Sequence, residues 1–318
     1  LKARILWRVF FLLAAIFFLI GILVLAPQVF ADDLDNIRSG GVMKVGTDAT
    51  YPPFEYVDDK TRKITGFDID LMKAICDNLD VKTEFVVVPF DAIISGLNSR
   101  KYDCLISSMT ITPERAQAVL FSEPYYDAGQ SIAVADDDQS IKSISDLPGK
   151  RIGAQLGTTG EMLAKQIPNA TVRSFDNIGD AFRDLANGNL DAIINDRPVS
   201  QRIILARGKA KIVGPILTSE HYGIAVRKGE IRLKRTLDDA LEQLRERGIV
   251  TRINEKWFGA SVAREADKSF LRTIWSILKY LAPAVPLTIF ITVFSFILSV
   301  ILGVIAALGR IARSRIVN

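Results

Sequence analysis

Four short segments of this sequence combine charge, aromatic surface and backbone freedom in a way that suits a small zwitterion. Gly46-Thr47-Asp48-Ala49-Thr50-Tyr51-Pro52-Pro53-Phe54 presents Asp48 and Tyr51 on a stretch that its prolines keep from being helical. Ser107-Ser108-Met109-Thr110-Ile111-Thr112-Pro113-Glu114-Arg115 carries a helix-start signature. Thr112 is a good N-cap, Pro113 suits the first helical position and Glu114 complements the helix dipole. Arg115 then falls in the first turn, and a guanidinium beside free backbone N–H groups suits a carboxylate. Gln155-Leu156-Gly157-Thr158-Thr159-Gly160-Glu161 has glycines that permit close backbone approach, but it is neither a Walker A loop nor a GxGxxG fingerprint. Asn195-Asp196 ends an apolar run with a carboxylate that could hold an ammonium group.

Each residue also has a plain structural use open to it. Asp48 suits a turn, Tyr51 core packing, Arg115 a surface ion pair and Asp196 the cap of the next helix. The ordered set is more specific than any member. It supplies a cation for a carboxylate, an anion for an ammonium and aromatic surface between them, which is the charge layout of a free α-amino acid.

The elements that must position these segments alternate along the chain. Strands are expected over 42–46, 81–88, 103–106, 151–154 and 191–194, from short β-rich runs. Helices are expected over 68–79, 91–98, 159–167, 178–186 and 197–206, from apolar residues at helical spacing. This pattern predicts an α/β fold with largely parallel sheets. Ligands of such sheets bind beyond the strand carboxyl ends, where all four segments lie.

Composition removes several other chemistries. One histidine, His221, argues against His-cluster metal sites and Ser-His-Asp catalysis, and two cysteines exclude a disulfide scaffold. The net charge of +4 arises from 40 Lys and Arg against 36 Asp and Glu. Its distribution speaks against nucleic acid. Residues 1–31 and 269–318 contain eight basic residues and no acid, which leaves 32 basic residues against all 36 acids in 32–268.

The basic residues flank two apolar runs. Val9 to Ala26 is an uninterrupted apolar run of 18 residues after Lys2, Arg4 and Arg8. It suits either a secretory signal cleaved after Ala31 or a retained membrane anchor. Ala284 to Leu308 has 25 residues without a charge, long enough to cross a bilayer, and Arg310, Arg313 and Arg315 mark its cytoplasmic end. Ser295, Ser299, Gly303 and Ala307 form a ridge of small residues suited to packing on another membrane helix. Residues 270–282 read as an interfacial amphipathic helix, and 309–318 as a cytoplasmic end.

Over roughly 40–258 the chain resembles the periplasmic binding proteins of polar amino acid ABC transporters. The likeness rests on Gly46–Phe54, Gly66-Phe67-Asp68-Ile69-Asp70, Phe90-Asp91, Ser107–Arg115, Phe121-Ser122-Glu123-Pro124-Tyr125-Tyr126, Gln155–Gly160 and Asp191–Asp196, in family order. The resemblance implies two α/β lobes joined by hinge strands and closing over the ligand. Lobe 1 would comprise 40–127 and 221–258, and lobe 2 would comprise 128–220. It implies that Arg115 clamps the α-carboxylate, aided by backbone amides at Thr110 and Thr159. Asp196, with Ser108, would take the α-ammonium. Tyr51 and Phe90 would sandwich the side chain, and Asp48, Ser107 and Gln155 would face its polar end. A disulfide that some members carry cannot form here, because Cys76 has Thr83 where its partner would stand. The two thiols are expected to be buried and free.

The segment from Pro286 to Arg310 resembles the first transmembrane helix of the same transporters' permease. The combined expectation is an extracytoplasmic receptor in the inner membrane, tethered to a permease and served by a cytoplasmic ATPase. Its partners would be membrane lipid and a free polar or basic amino acid, with no catalytic residue, metal or cofactor. A sensor ectodomain between two membrane helices is the alternative, and a dehydratase of the same fold a further one. Arg115, Asp48 and Asp196 leave glutamine and the basic amino acids (arginine, lysine, ornithine) both open.

Overall fold

A computed structural model describes residues 33–259, 292–300 and 302–303. The apolar, β-branched runs form two separate five-stranded sheets. The first has the order Lys82–Val87, Val42–Thr47, Cys104–Leu105, Ala225–Arg227, Val119–Phe121. The second has the order Thr171–Phe175, Arg151–Gln155, Ala192–Asp196, Gln130–Ala135, Ala210–Val213. Each sheet belongs to one α/β lobe with its own core. Ile93, Leu97, Tyr102, Leu105 and Val119 are buried in the first, and Ile132, Val134, Ile152, Ala192 and Ile194 in the second.

Helix Ile178–Ala186 shows how the sequence builds a lobe. Asn177 caps it by accepting from the Gly179 N–H, and Ile178, Ala181, Phe182 and Leu185 recur at helical spacing and are all buried. Helix Phe67–Asn78 begins after Gly66, whose φ of 141° suits glycine. A Cβ there would meet the Phe54 carbonyl oxygen at 1.9 Å, so only glycine fits.

The sheets are mixed rather than largely parallel. In each, three neighbouring strands are parallel, as expected from the alternating pattern. The other two pair antiparallel, at Ala225–Arg227 with its neighbours and at Gln130–Ala135 with its neighbours. These antiparallel strands lie next to the two points where the chain crosses between lobes. The crossing strands, Tyr126–Ala128 and Glu220–Tyr222, pair with each other. Phe54, Phe67, Tyr125, Tyr126 and Tyr222 pack edge-on and stacked around this crossing. The helix expected over 91–98 is a 3-10 turn, Phe90–Ala92, followed by Ile93–Asn98, and the one expected over 159–167 ends at Ala164.

Cys76 and Cys104 are free and buried on either side of Met43, whose sulfur lies 3.9 and 3.7 Å from theirs. Burial pushes the Cys76 thiol up to about 11, so it stays protonated and inert.

The anchor or signal segment 1–31, the interfacial segment 270–282, the end 309–318 and most of 284–308 lie outside the described residues. Residues 292–300 within the last run are helical, and Phe294, Phe296 and Ile297 are exposed. Among the described residues, no helix is long and apolar enough to cross a membrane.

Candidate functional site

The strand carboxyl ends of both sheets converge on a cleft of about 240 Å³ between the lobes. Its first-lobe wall is Tyr51, Phe90, Ser108, Thr110 and Arg115, and its second-lobe wall is Gln155, Thr158, Thr159 and Asp196. Eight of the ten site residues expected from sequence line it. Asp48 and Ser107 stand one step behind.

Arg115 is the cation of this lining. Thr112 caps its helix, Pro113–Ala118, by accepting from the Arg115 N–H at 3.2 Å, which fixes where the side chain starts. Arg115 is only 7% exposed. It donates to the carbonyls of Thr110 at 2.8 Å and Gly157 at 2.9 Å, and it lies 5.4 Å from the Phe90 ring centre. Among the described residues it makes no salt bridge, so the surface-pair reading of Arg115 does not hold. Burial pulls its pKa down, and the nearby Glu220 and Asp196 oppose that shift. A ligand carboxylate here would meet a forked donor with low competition from water.

Asp196 sits at the end of strand Ala192–Asp196, 4% exposed. It occupies the N-cap position of helix Arg197–Arg207 but makes no side-chain cap hydrogen bond, so helix capping is not its use. Its carboxylate accepts from the Tyr51 hydroxyl at 2.6 Å and from Gln130 Nε2 at 2.7 Å. Burial, then the Glu220 charge, push its pKa up to about 7. Asn195 Oδ1 lies 2.6 Å from the same hydroxyl, whose one proton the two acceptors share, so one phenol spans both lobes.

The far end is held by a second crossing contact. Asp48 accepts from Gln155 Nε2 at 2.9 Å and from the Thr50 hydroxyl. Burial raises the Asp48 pKa, and these two hydrogen bonds offset part of that. Gln155 Oε1 is buried and has no hydrogen-bond partner among the described residues. A donor-rich ligand end would satisfy it. Ser107 accepts from the Asp48 N–H at 3.0 Å and donates to Glu55 at 2.9 Å. Ser108 donates its hydroxyl to Glu55 at 3.1 Å and its N–H to Asp68 at 2.8 Å. Glu55 and Asp68 are fully buried, and burial raises both pKa values, which leaves the pair short of its two full charges.

Sequence reasoning missed four contributors. Thr158 lines the cleft and caps helix Thr159–Ala164, and its place before the helical run was a usable signal. Glu55 and Asp68 support Ser107 and Ser108, and Glu220 lies beneath Thr110 and Thr159. Asp68 stood inside the Gly66–Asp70 motif but was given no role, and Glu55 and Glu220 had no local signal, because the cleft residues they hold lie far along the chain.

Residues 43–260 match the family model described as bacterial extracellular solute-binding proteins, family 3. ABC transporter arginine-binding protein 1 of Escherichia coli K12 is 37% identical over 219 residues, covering 67% of this chain and 89% of that protein. The structure of an ancestral arginine-binding protein bound to arginine is 45% identical with a TM-score of 0.67, covering 69% of this chain and 99% of that one. An ancestral amino acid-binding protein described as a precursor of cyclohexadienyl dehydratase is 43% identical with a TM-score of 0.68, covering 71% and 99%.

Proposed function

We propose that this chain, which belongs to the bacterial extracellular solute-binding proteins of family 3, is the extracytoplasmic receptor of an ABC importer for polar amino acids. We read its ligand as a cationic amino acid of the arginine, lysine and ornithine class. The charge around the cleft carries this reading. Among the described lining residues Arg115 supplies the positive charge, against the buried carboxylates of Asp48 and Asp196. A zwitterion pairs with Arg115 and Asp196 and leaves the Asp48 end unmatched. A guanidinium or side-chain ammonium matches it and offers a donor to Gln155 Oε1. The named ligand of the arginine-binding relatives agrees in chemistry.

In this reading Arg115 and the amides of Thr110 and Thr159 hold the α-carboxylate. Asp196 with Ser108 holds the α-ammonium, and Tyr51 and Phe90 enclose the side chain. Ligand contacts from both walls then favour lobe closure. Lobe 1 is 40–127 with 221–258, and lobe 2 is 128–220. Calorimetry on the full chain in detergent, with each common amino acid, tests the assignment. Arginine, lysine or ornithine should bind at least about tenfold more tightly than glutamine. A preference for glutamine defeats the cationic reading, and no binding by any amino acid defeats the receptor reading.

We further read 284–308 as a membrane helix like the opening helix of a permease, with 1–31 as signal or anchor and 270–282 on the membrane surface. Tethering the receptor raises its effective concentration at the transporter. The exposed apolar side chains of 292–300 fit a lipid or helix neighbour. Carbonate-washed membranes from cells making the full chain should retain it. Complete release into the wash would sink the tether.

A further inference from the structure

Glu220 belongs to no expected ligand contact, yet it is 7% exposed and sits on the crossing strand Glu220–Tyr222. Its Oε2 accepts from the Thr110 hydroxyl at 2.8 Å and from the Thr159 hydroxyl at 2.8 Å. Gln130 Nε2 lies 3.4 Å from the same oxygen, and Thr218 donates to Oε1 at 2.8 Å. No lysine or arginine salt bridge reaches it among the described residues. Two of these partners, Thr110 and Thr159, are residues of the cleft itself, one from each wall.

The two threonine contacts differ in kind. Thr110 pairs with Tyr222 in an isolated β-bridge, and the Ile111 N–H donates to the His221 carbonyl at 2.8 Å. Thr110 is thus fastened to the strand that carries Glu220. Thr159 begins a helix of the second lobe, 61 residues away along the chain. Glu220 closes the 128–220 segment and is tied to that lobe also through Thr218, so its carboxylate joins Thr159 and Thr110 across the two lobes and one of these two bonds must break when they part.

We propose that Glu220 is a positioning residue for ligand retention: its carboxylate latches the Thr159 end of the second lobe to Thr110 of the first, behind the bound amino acid. This rests on the receptor reading above. A purely electrostatic role has the opposite consequence. Glu220 faces Arg115 and Asp196, so its charge weakens the attraction of Arg115 for a carboxylate and resists ionisation of Asp196. Removing the charge would therefore tighten binding, whereas removing the latch weakens it.

Stopped-flow release of arginine from the full chain in detergent separates the two. Glu220→Ala should speed dissociation by roughly ten- to hundredfold, the worth of a charge-assisted hydrogen bond, with association changed much less. Glu220→Gln keeps an acceptor oxygen and should recover part of the slow release. Thr159→Ala should speed release as well, and the double variant Glu220→Ala with Thr159→Ala should be no faster than the faster single one. If Glu220→Ala does not fold, the Glu220→Gln and Thr159→Ala rates carry the same comparison. Release that is unchanged or slower, or strictly multiplicative effects in the double variant, overturns the latch. Failure of the wild-type chain to bind arginine overturns it together with the receptor reading.

Discussion

Arg115→Ala is expected to weaken binding of every amino acid ligand by roughly thirtyfold to several thousandfold. That range corresponds to about 2–5 kcal/mol for truncating one partner of a buried, hydrogen-bonded charge pair. The loss is large because the ligand carboxylate has no other cation. Among the described residues Arg115 is the only basic side chain on the cleft wall, and it is already held in place by the Thr110 and Gly157 carbonyls and the Phe90 ring. A carboxylate entering the variant would shed water and gain only neutral donors. The fold should survive, since Arg115 lies in the cleft and not within either lobe's apolar core. Arg115→Lys should recover little, because a single ammonium cannot present the guanidinium's fork to both a carbonyl and a carboxylate. Calorimetry and circular dichroism on the same preparations check this. A folded Arg115→Ala protein with affinity within threefold of wild type would remove Arg115 from the site.

The residues best read from sequence are those whose roles are set by neighbours in the chain. Arg115 follows a Thr-Pro-Glu helix start, and Asp196 ends an apolar strand, so their positions at the cleft follow from local rules. Helix Ile178–Ala186 is legible for the same reason, since its cap and four buried residues lie within nine positions. Glu55, Asp68, Gln130 and Glu220 were not legible. Each is a buried polar group whose partners arrive from distant segments, up to 110 residues apart for Glu220 and Thr110. Nothing in a local window distinguishes such a carboxylate from a solvated one. The antiparallel strands Gln130–Ala135 and Ala225–Arg227 escaped the α/β alternation because each directly follows a crossing strand, without an intervening helix to announce it. Asp48 was expected at the polar end of the ligand, and its bond to Gln155 depends on the two lobes meeting, which no single segment encodes.

Asp196→Asn should separate ligand affinity from stability, because the same carboxylate serves one and costs the other. In the unliganded fold its pKa rises from an ordinary 3.8 to about 7, through burial first and the Glu220 charge second. Between about pH 4 and 7 the folded protein therefore holds a proton on Asp196 that the unfolded chain has released. Stability then falls as pH rises across that window. Asparagine never ionises; its single amide oxygen can accept from Gln130 Nε2 while its N–H donates to the Tyr51 phenol oxygen, whose own O–H is left for Asn195 Oδ1. The variant should lose part of that downward slope and melt higher than wild type at pH 8. Asp68, raised in the same direction, keeps some slope in both proteins. Binding should respond in the opposite sense. An α-ammonium needs Asp196 ionised, so wild-type affinity should increase from pH 5.5 to 8. Binding near pH 7 should release a proton, seen as a buffer-dependent enthalpy in calorimetry. Asp196→Asn should bind at least about thirtyfold more weakly at pH 8, by the same cost of an unpaired buried charge, with the buffer dependence reduced. Equal affinity in the two proteins at pH 8, or a wild-type affinity that declines as pH rises, would show that Asp196 does not pair with the ligand amine.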